Sequence, residues 1–572
     1  MRGNSNVAVL INGRQQTIGQ SVLSTLPAAS IERIEIISNP SSKYQSEGTG
    51  GIINIILKKN KKDNVSALAS VKAGTARKYA ANLNAFYSKG IYNFNLQLMY
   101  NNMGLLRNSY RNRYFYFPDS TVHFRDDYKN RRYKNFDNFI GAGSGINLKN
   151  FEVFANFRYG LFELNKVKTG FQTRSSDPES IYEDYWNQST TKIHWNYFET
   201  EVTMKLKPNN QRHLVELLLY RSHEIGKDSY SIHSHPQNNP PGETGTDEKI
   251  TTDQTGNYHI YQGLLDYTFN INKSNTIEAG ASFKSVDRVN IFNKGLYNFE
   301  RRAWEYNPAL ENKVDNTHTL FSGYFSFKGQ AGRFSYQAGL RGEQEERGIL
   351  ISYGDSTINF SDFDWFPSAS FSYELSQKLK LVSSFGKRKQ VPKLWAVVPF
   401  TYVDDKNFST SGNPLLRSEI AMKGEIGVEY ESDRFSGSLS YFYNDFANST
   451  MLVQATTSEF KSSGNWSNIR KHVKQGCEAG NKIMASKHIT VSLNASVFSN
   501  HFASQFENKT FNNKAISWTS SLVFDFSFGK SARLQVYNVY ESKYAMLQGY
   551  YTPLLLTNLS YSHSFLNKSI VV

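Results

Sequence analysis

The chain has 572 residues, of which 39% are hydrophobic, 20% charged and 14% aromatic, and its 65 basic and 50 acidic side chains leave a formal charge of +15. No run approaches the roughly 18 apolar residues of a membrane helix, and aromatic and β-branched residues spread along the whole length argue against disorder. A transmembrane β-barrel stays compatible with such a polar average, because every second residue of its strands faces water. Basic residues are dispersed, the nearest thing to a block being Lys58-Lys59-Asn60-Lys61-Lys62, so nucleic acid is not an expected partner. Cys477 is the single cysteine, which excludes an intrachain disulfide and a cysteine-built zinc site; no metal or other cofactor is expected.

In chain order, Val7-Ala8-Val9-Leu10-Ile11 reads as a buried strand and Asn12-Gly13 as a turn. Residues 21–26 read as a short helical stretch stopped by Pro27. Ile31-Glu32-Arg33-Ile34-Glu35-Ile36-Ile37 alternates as a strand that Asn39-Pro40 breaks, and Gly48-Thr49-Gly50-Gly51 leads into another, 52–58. Residues 1–62 thus predict a small α+β unit, too short for a comfortable core of its own. Beyond it the pattern changes to a meander. Residues 92–98, 420–430 and 489–497 alternate apolar and polar with period two. In 420–430 the face carrying Ile420, Met422, Ile426, Val428 and Tyr430 is expected to meet lipid, and the face carrying Lys423, Glu425 and Glu429 to meet the lumen.

The spacing of turns gives the topology. Tight polar turns fall near 89–90, 149–150, 208–210, 272–274, 329–332, 376–377, 432–433, 486–487 and 529–530. Between them lie pairs of strand patterns separated by long polar segments, at 102–135, 165–195, 225–255, 290–315, 389–417 and 446–472. Short turns on one side and long loops on the other are the asymmetry of an outer-membrane barrel, here of about twenty strands of about 11 to 15 residues.

Two stretches carry a resemblance. Leu26-Pro27-Ala28-Ala29-Ser30-Ile31-Glu32-Arg33-Ile34-Glu35, then Asn39-Pro40, then Glu47-Gly48-Thr49-Gly50-Gly51-Ile52-Ile53-Asn54-Ile55, resembles the C-terminal half of the plug of TonB-dependent outer-membrane receptors. Gly412-Asn413-Pro414-Leu415-Leu416-Arg417-Ser418-Glu419 is similar to the Gly-Asn-Pro-x-Leu-x-Pro-Glu motif that ends a long external loop in the outer-membrane β-barrel branch. Ser418 replaces the usual Pro, and Ser38-Asn39-Pro40 stands where many receptors have Arg-Gly-Pro. The resemblance implies an all-β antiparallel transmembrane barrel, with about 20 of an expected 22 strands at 63–572 and its last strand or strands lacking. The partial α+β plug would occupy 1–62, with signal peptide, energy-coupling box and first plug half upstream. Such a wall is not expected to seal.

What the resemblance implies about function is import of a small nutrient such as a siderophore, glycan or peptide across the bacterial outer membrane by plug displacement. A TonB-type coupling protein would drive it, with the lipid bilayer as host and a surface lipoprotein as a further partner. The alternative is a passive or structural barrel: a porin-like channel, an adhesin or a secretion component. Arg33 and Glu35 on the plug and Lys423, Glu425 and Glu429 on the wall are the expected boundary charges, while Tyr182, Tyr185, Trp186 and Trp195 are candidate ligand contacts or members of an aromatic girdle. No enzyme is expected. Gly529-Lys530-Ser531 joins two strands and lacks the first glycine of a phosphate loop, His233-Ser234-His235 lacks a third metal ligand, and no serine, histidine and acid are selected as a triad.

Overall fold

The computed structural model describes residues 7–11, 14–15, 31–57, 64–75, 77–117, 120–177, 180–208, 212–236, 247–306, 312–352, 356–405, 408–456, 462–506, 509–529, 531–565 and 570–571. Asn12, Gly13, Pro27 and the expected helical stretch 21–26 lie outside them, and nothing is described of the Tyr182 side chain.

The N-terminal strands are β1 (Val7–Ile11), β2 (Arg14–Gln15), β3 (Ile31–Ile37) and β4 (Gly51–Leu57). They form one mixed sheet in the order β2-β1-β4-β3, with β1 parallel to β4 and the two other pairs antiparallel. Leu10, Ile52 and Ile55 are buried in it. Two positive φ values shape the approach to β4, at Gly48 (106°) and Gly51 (107°), and a Cβ on Gly48 would lie 3.0 Å from the Ala8 Cβ.

Among the described residues after 63, twenty long strands from Asn64–Gly74 to Leu554–Phe565 form one antiparallel wall, once the added hairpin strands Leu105–Phe117 and Ala303–Tyr306 are set aside. The two-residue strand Ile570–Val571 stands in the ring between Leu554–Phe565 and Asn64–Gly74, and pairs with the former at Ser564 and Phe565. Positive φ at Gly90, Gly332 and Gly529 marks three of the expected short turns, while 209–210 and 530 of the expected turns lie outside the described residues.

The long polar segments behave differently from the loops expected. Ser120–Asn147, Phe151–Asp177 and Ser180–Leu206 run for 28, 27 and 27 residues, so much of 120–135 and 165–195 continues the ladder. A backbone ladder satisfies its own hydrogen bonds at any height, so nothing stops it where the lipid ends. Two other segments do fold as loops. Thr401–Asp405 and Phe408–Ser411 from one, with Ser449–Thr456 and Ser462–Ile469 from the next, share a four-stranded sheet over the mouth.

In strand Glu419–Glu431, Met422, Ile426, Val428 and Tyr430 are exposed, while Ala421 and Lys423 on the opposite face are buried. The exposed row is the lipid face. Ile426→Arg is expected to destabilise the barrel by about 2–4 kcal/mol, measured by denaturant unfolding in lipid vesicles. Ser438→Arg on the lumen face of the next strand should change it by less than about 1 kcal/mol.

Candidate functional site

The site is the seat of the N-terminal unit in the lumen. One wall strand dominates it. Phe334–Ile351 points Arg341, Glu343, Glu345 and Arg347 inward at alternate positions, each no more than 6% exposed. Burying such charges is tolerable only when each finds partners. The Arg341 Nε donates to Glu343 Oε1 at 2.5 Å, and its Nη2 donates to Ser282 Oγ at 3.2 Å. Glu345 forms ion pairs with Arg347 at 3.2 Å, with His318 at 3.1 Å, and with Lys389. Arg347 reaches upward, its Nη2 donating to the Leu416 carbonyl at 3.2 Å.

The segment between β3 and β4 fits against this ladder. The Ser46 amide donates to Glu343 Oε1 at 3.1 Å and its hydroxyl to Oε2 at 2.5 Å. The Gly48 amide donates to the Lys389 carbonyl and the Lys389 amide to the Ser46 carbonyl, at 3.1 and 2.9 Å, which makes a parallel bridge between Glu47 and Lys389. Arg388 Nη2 donates to the Glu47 carbonyl at 2.7 Å, and the Thr49 hydroxyl to Glu419 Oε1 at 2.8 Å. Lower on the segment, Lys423 Nζ donates to the Ser38 carbonyl at 2.7 Å, Asn39 Nδ2 to Ser384 Oγ at 2.7 Å, and Ser42 Oγ to the Phe325 carbonyl at 3.2 Å. A Cβ on Gly339 would lie 2.1 Å from Ser42 Oγ, so that wall glycine is what lets the segment approach.

The division of charge is one-sided. In these contacts the inner unit supplies hydroxyls, amides and carbonyls, while the wall supplies most of the ions. Lys43 forms an ion pair across the boundary with Glu278, at 3.4 Å. Burial works against the charge on Lys43, but Glu278, Asp266 and Glu216 outweigh it and raise its pKa above the ordinary 10.5. Where many receptors carry an arginine before Gly-Pro, this chain has Ser38, and a cation, Lys423, comes from the wall instead.

The sequence-derived residues divide accordingly. Arg33 does not reach the wall: it is 56% exposed and pairs with Glu32 and Glu35 beside it, because alternate residues of a strand share a face. Glu35 also accepts from Asn54 Nδ2 at 2.8 Å. Pro40, Gly48, Gly50 and Gly51 are buried within the unit. Lys423 meets the seat, Glu425 is half-buried and Glu429 is exposed, lying opposite Lys380. In the external motif a Cβ on Gly412 would fall 1.9 Å from the Val398 carbonyl oxygen. Asn413 bonds Ala396 and Trp466, Pro414 is half-buried, and Glu419 opens the next strand. Trp195 faces the lumen, Tyr185 is half-buried, and Trp186 stacks on His235 with centroids 4.8 Å apart. Among the described residues no three His, Cys, Asp or Glu side chains converge as a metal site. Sequence reasoning missed the ladder at 341–347. Its signal, charges at period two, is present in Arg341-Gly342-Glu343-Gln344-Glu345-Glu346-Arg347.

Comparison with known proteins agrees with this geometry. The model of the outer membrane protein beta-barrel family matches residues 209–572, and that of the TonB-dependent receptor plug domain matches residues 1–52. The chain belongs to the outer membrane protein beta-barrel family. Its inner unit is the plug of a TonB-dependent receptor, and the protein resides in the outer membrane. The ferric enterobactin receptor PirA of Pseudomonas aeruginosa is 25% identical over 163 residues, covering 26% of this chain and 22% of that protein. The match therefore spans less than a quarter of that curated relative. Among solved structures, the siderophore receptor PirA from Pseudomonas aeruginosa aligns with a TM-score of 0.58 at 15% identity, over 99% of this chain and 87% of that one. The ferric yersiniabactin uptake receptor FyuA from Yersinia pestis aligns with a TM-score of 0.64 at 12% identity, over 98% and 81%. These likenesses show the fold.

Two outcomes follow for the seat. Glu343→Ala leaves Arg341 and both Ser46 donors without their acceptor and should weaken plug seating by about 3–5 kcal/mol. The readout is the denaturant concentration at which a Ser42→Cys thiol, in a Cys477→Ser background, becomes open to maleimide. Lys43 has the raised pKa, so its contribution is full below the ordinary lysine pKa of 10.5 and is lost as pH rises through the seated value. Labelling of the same thiol should therefore accelerate in strongly alkaline buffer, and Lys43→Met should remove that acceleration.

Proposed function

We propose that the protein imports a small nutrient across the outer membrane by displacement of its plug, driven by a TonB-type coupling protein. The observation that carries this reading is the seat. Hydrogen bonds to an ionised partner contribute about 1.5–3 kcal/mol each, and those at Ser46, Glu47, Thr49 and Ser38 sit on one short segment. Such a segment holds firmly at rest and can be peeled off by a pull on the chain. When the segment leaves, Glu343 keeps Arg341 as its partner and Lys389 keeps Glu345. A static structural barrel has no use for a seat of that kind. Two curated relatives are ferric enterobactin receptors, and the nutrient here is a siderophore, glycan, peptide or similar molecule. The protein is read as a transporter, not an enzyme. A surface lipoprotein partner belongs to the same reading.

Asn39 and Ser384 offer a lock, since their side chains touch at 2.7 Å. Asn39→Cys with Ser384→Cys, in the Cys477→Ser background, should form a reducible tether. In planar bilayers the oxidised protein should stay closed under a denaturant concentration that opens the untethered one, and a reductant should restore opening. Equal conductance with and without the tether would contradict plug displacement.

A further inference from the structure

Above the seat, the lumen wall carries three consecutive inward rows, fixed by strand register. From the periplasmic side they are Tyr197, Glu224, Tyr258 and Arg288; then Trp195, Gly226, Gly256 and Asn290; then Ile193, Asp228, Gln254 and Phe292. The middle row is the unusual one. A Cβ on Gly226 or on Gly256 would each fall 2.4 Å from the Trp195 ring. The indole thus lies flat on two bare stretches of backbone. Its N–H is committed to Asp228 Oδ1 at 2.7 Å, and Tyr258 leans against it with centroids 4.7 Å apart. Beside this aromatic floor stand planar polar groups. Gln254 Nε2 and the Tyr258 hydroxyl both donate to Asn290 Oδ1, at 2.9 and 2.8 Å. The Asn290 Nδ2 is buried without a partner.

From these observations we infer that Trp195, Tyr258, Asp228, Gln254 and Asn290 form a binding site for a neutral pyranose ring, covered in this state by Tyr402 and Phe400 of the external loop. The inference rests on the import reading and names its substrate class. A flat aromatic face matches the C–H face of a sugar, and adjacent carboxylate and amide groups match its hydroxyl rim. Asn290 supplies a donor that no acceptor among the described residues takes up. Charge argues the same way: across the three rows the charged side chains are Glu224, Asp228 and Arg288. Arg288 lies over the Tyr258 ring at 5.7 Å. A highly anionic chelate entering here would meet two carboxylates and one cation, whereas an uncharged ring meets no such mismatch. The loop supplies the present occupant. Phe400 stacks on Phe292 with centroids 4.8 Å apart, and Tyr402 stands edge-on to Tyr230 at 6.4 Å and to Phe292 at 6.2 Å. These rings close over the top row at Phe292, two residues along its strand from Asn290.

The test uses the whole chain purified in detergent. It is applied to a printed array of plant, microbial and host oligosaccharides, and the strongest neutral binder is then titrated by calorimetry beside ferric enterobactin as an anionic comparator. Neutral oligosaccharides should bind. Trp195→Ala should weaken the titrated one at least tenfold and Trp195→Phe by less. Gly256→Ala, which must lift the indole, should weaken it as Trp195→Ala does. Tyr402→Ala should tighten it several-fold by removing the competitor. Heat-modifiable gel mobility reports whether each variant keeps its barrel. The sugar site is overturned if no neutral oligosaccharide binds, or if binding is indifferent to both Trp195 variants and to Gly256→Ala. Binding of ferric enterobactin alone would overturn the sugar class and leave import standing; failure of the Asn39–Ser384 tether to hold the channel closed would remove import without touching sugar binding.

Discussion

A charge buried without a partner is among the most expensive features a protein can carry, and this barrel buries Arg341, Glu343, Glu345, Arg347, Arg388 and Lys389 within one patch of its lumen. The patch is held by ion pairs among its members and by the hydrogen bonds that the plug adds. Glu343 is the hinge of that arrangement: its Oε1 accepts from both Arg341 in the wall and the Ser46 amide on the plug, and its Oε2 accepts from the Ser46 hydroxyl. Wall and plug are therefore not two bodies that happen to fit. The wall's electrostatics are finished only when the plug is in place.

The same patch ties the seat to the mouth. Arg388 and Lys389 immediately precede the external loop that begins at residue 391, and Glu419 immediately follows it. All three touch the plug segment 47–49. The loop itself packs Ala396, Val397, Val398, Phe400 and Leu416 onto Phe292, Val314, Ile349 and Ile351 at the top of the wall. An apolar cap above and a polar seat below are thus joined through the roots of one loop. The Gly-Asn-Pro motif belongs to this joint: Gly412 admits the close backbone pass, and Asn413 links the cap to the neighbouring loop at Trp466.

Some of this was legible in the residues and some was not, for physical reasons. The 420–430 strand could be oriented because apolar and charged residues alternate strictly, and a slip by one residue would turn three charges into lipid. The turns were legible because each carries polar residues, and several a glycine at positive φ. The ladder at 341–347 was passed over because its outward residues Gly342, Gln344 and Glu346 are also not apolar, so the usual contrast between faces is missing there. Arg33 misled for a related reason: period two places it beside Glu35 as readily as it aims it at a wall, and the nearer carboxylate won. Hairpins beyond the membrane were mistaken for loops because, above the lipid, neither face of a strand need be apolar. Trp195 could be named from sequence, but not its bed of two glycines, which come from two other strands.

The most direct test of the central claim is residue-resolved hydrogen exchange on the protein in lipid nanodiscs, comparing the native chain with Glu343→Ala. The amides of Ser46, Gly48 and Lys389 should all be protected in the native protein, and all three should speed up together in the variant, while strand Ile489–Phe506 keeps its protection. Rapid exchange of those three amides in the native protein, or a variant in which they stay as slow as before, would show that the buried wall charges do not hold the plug.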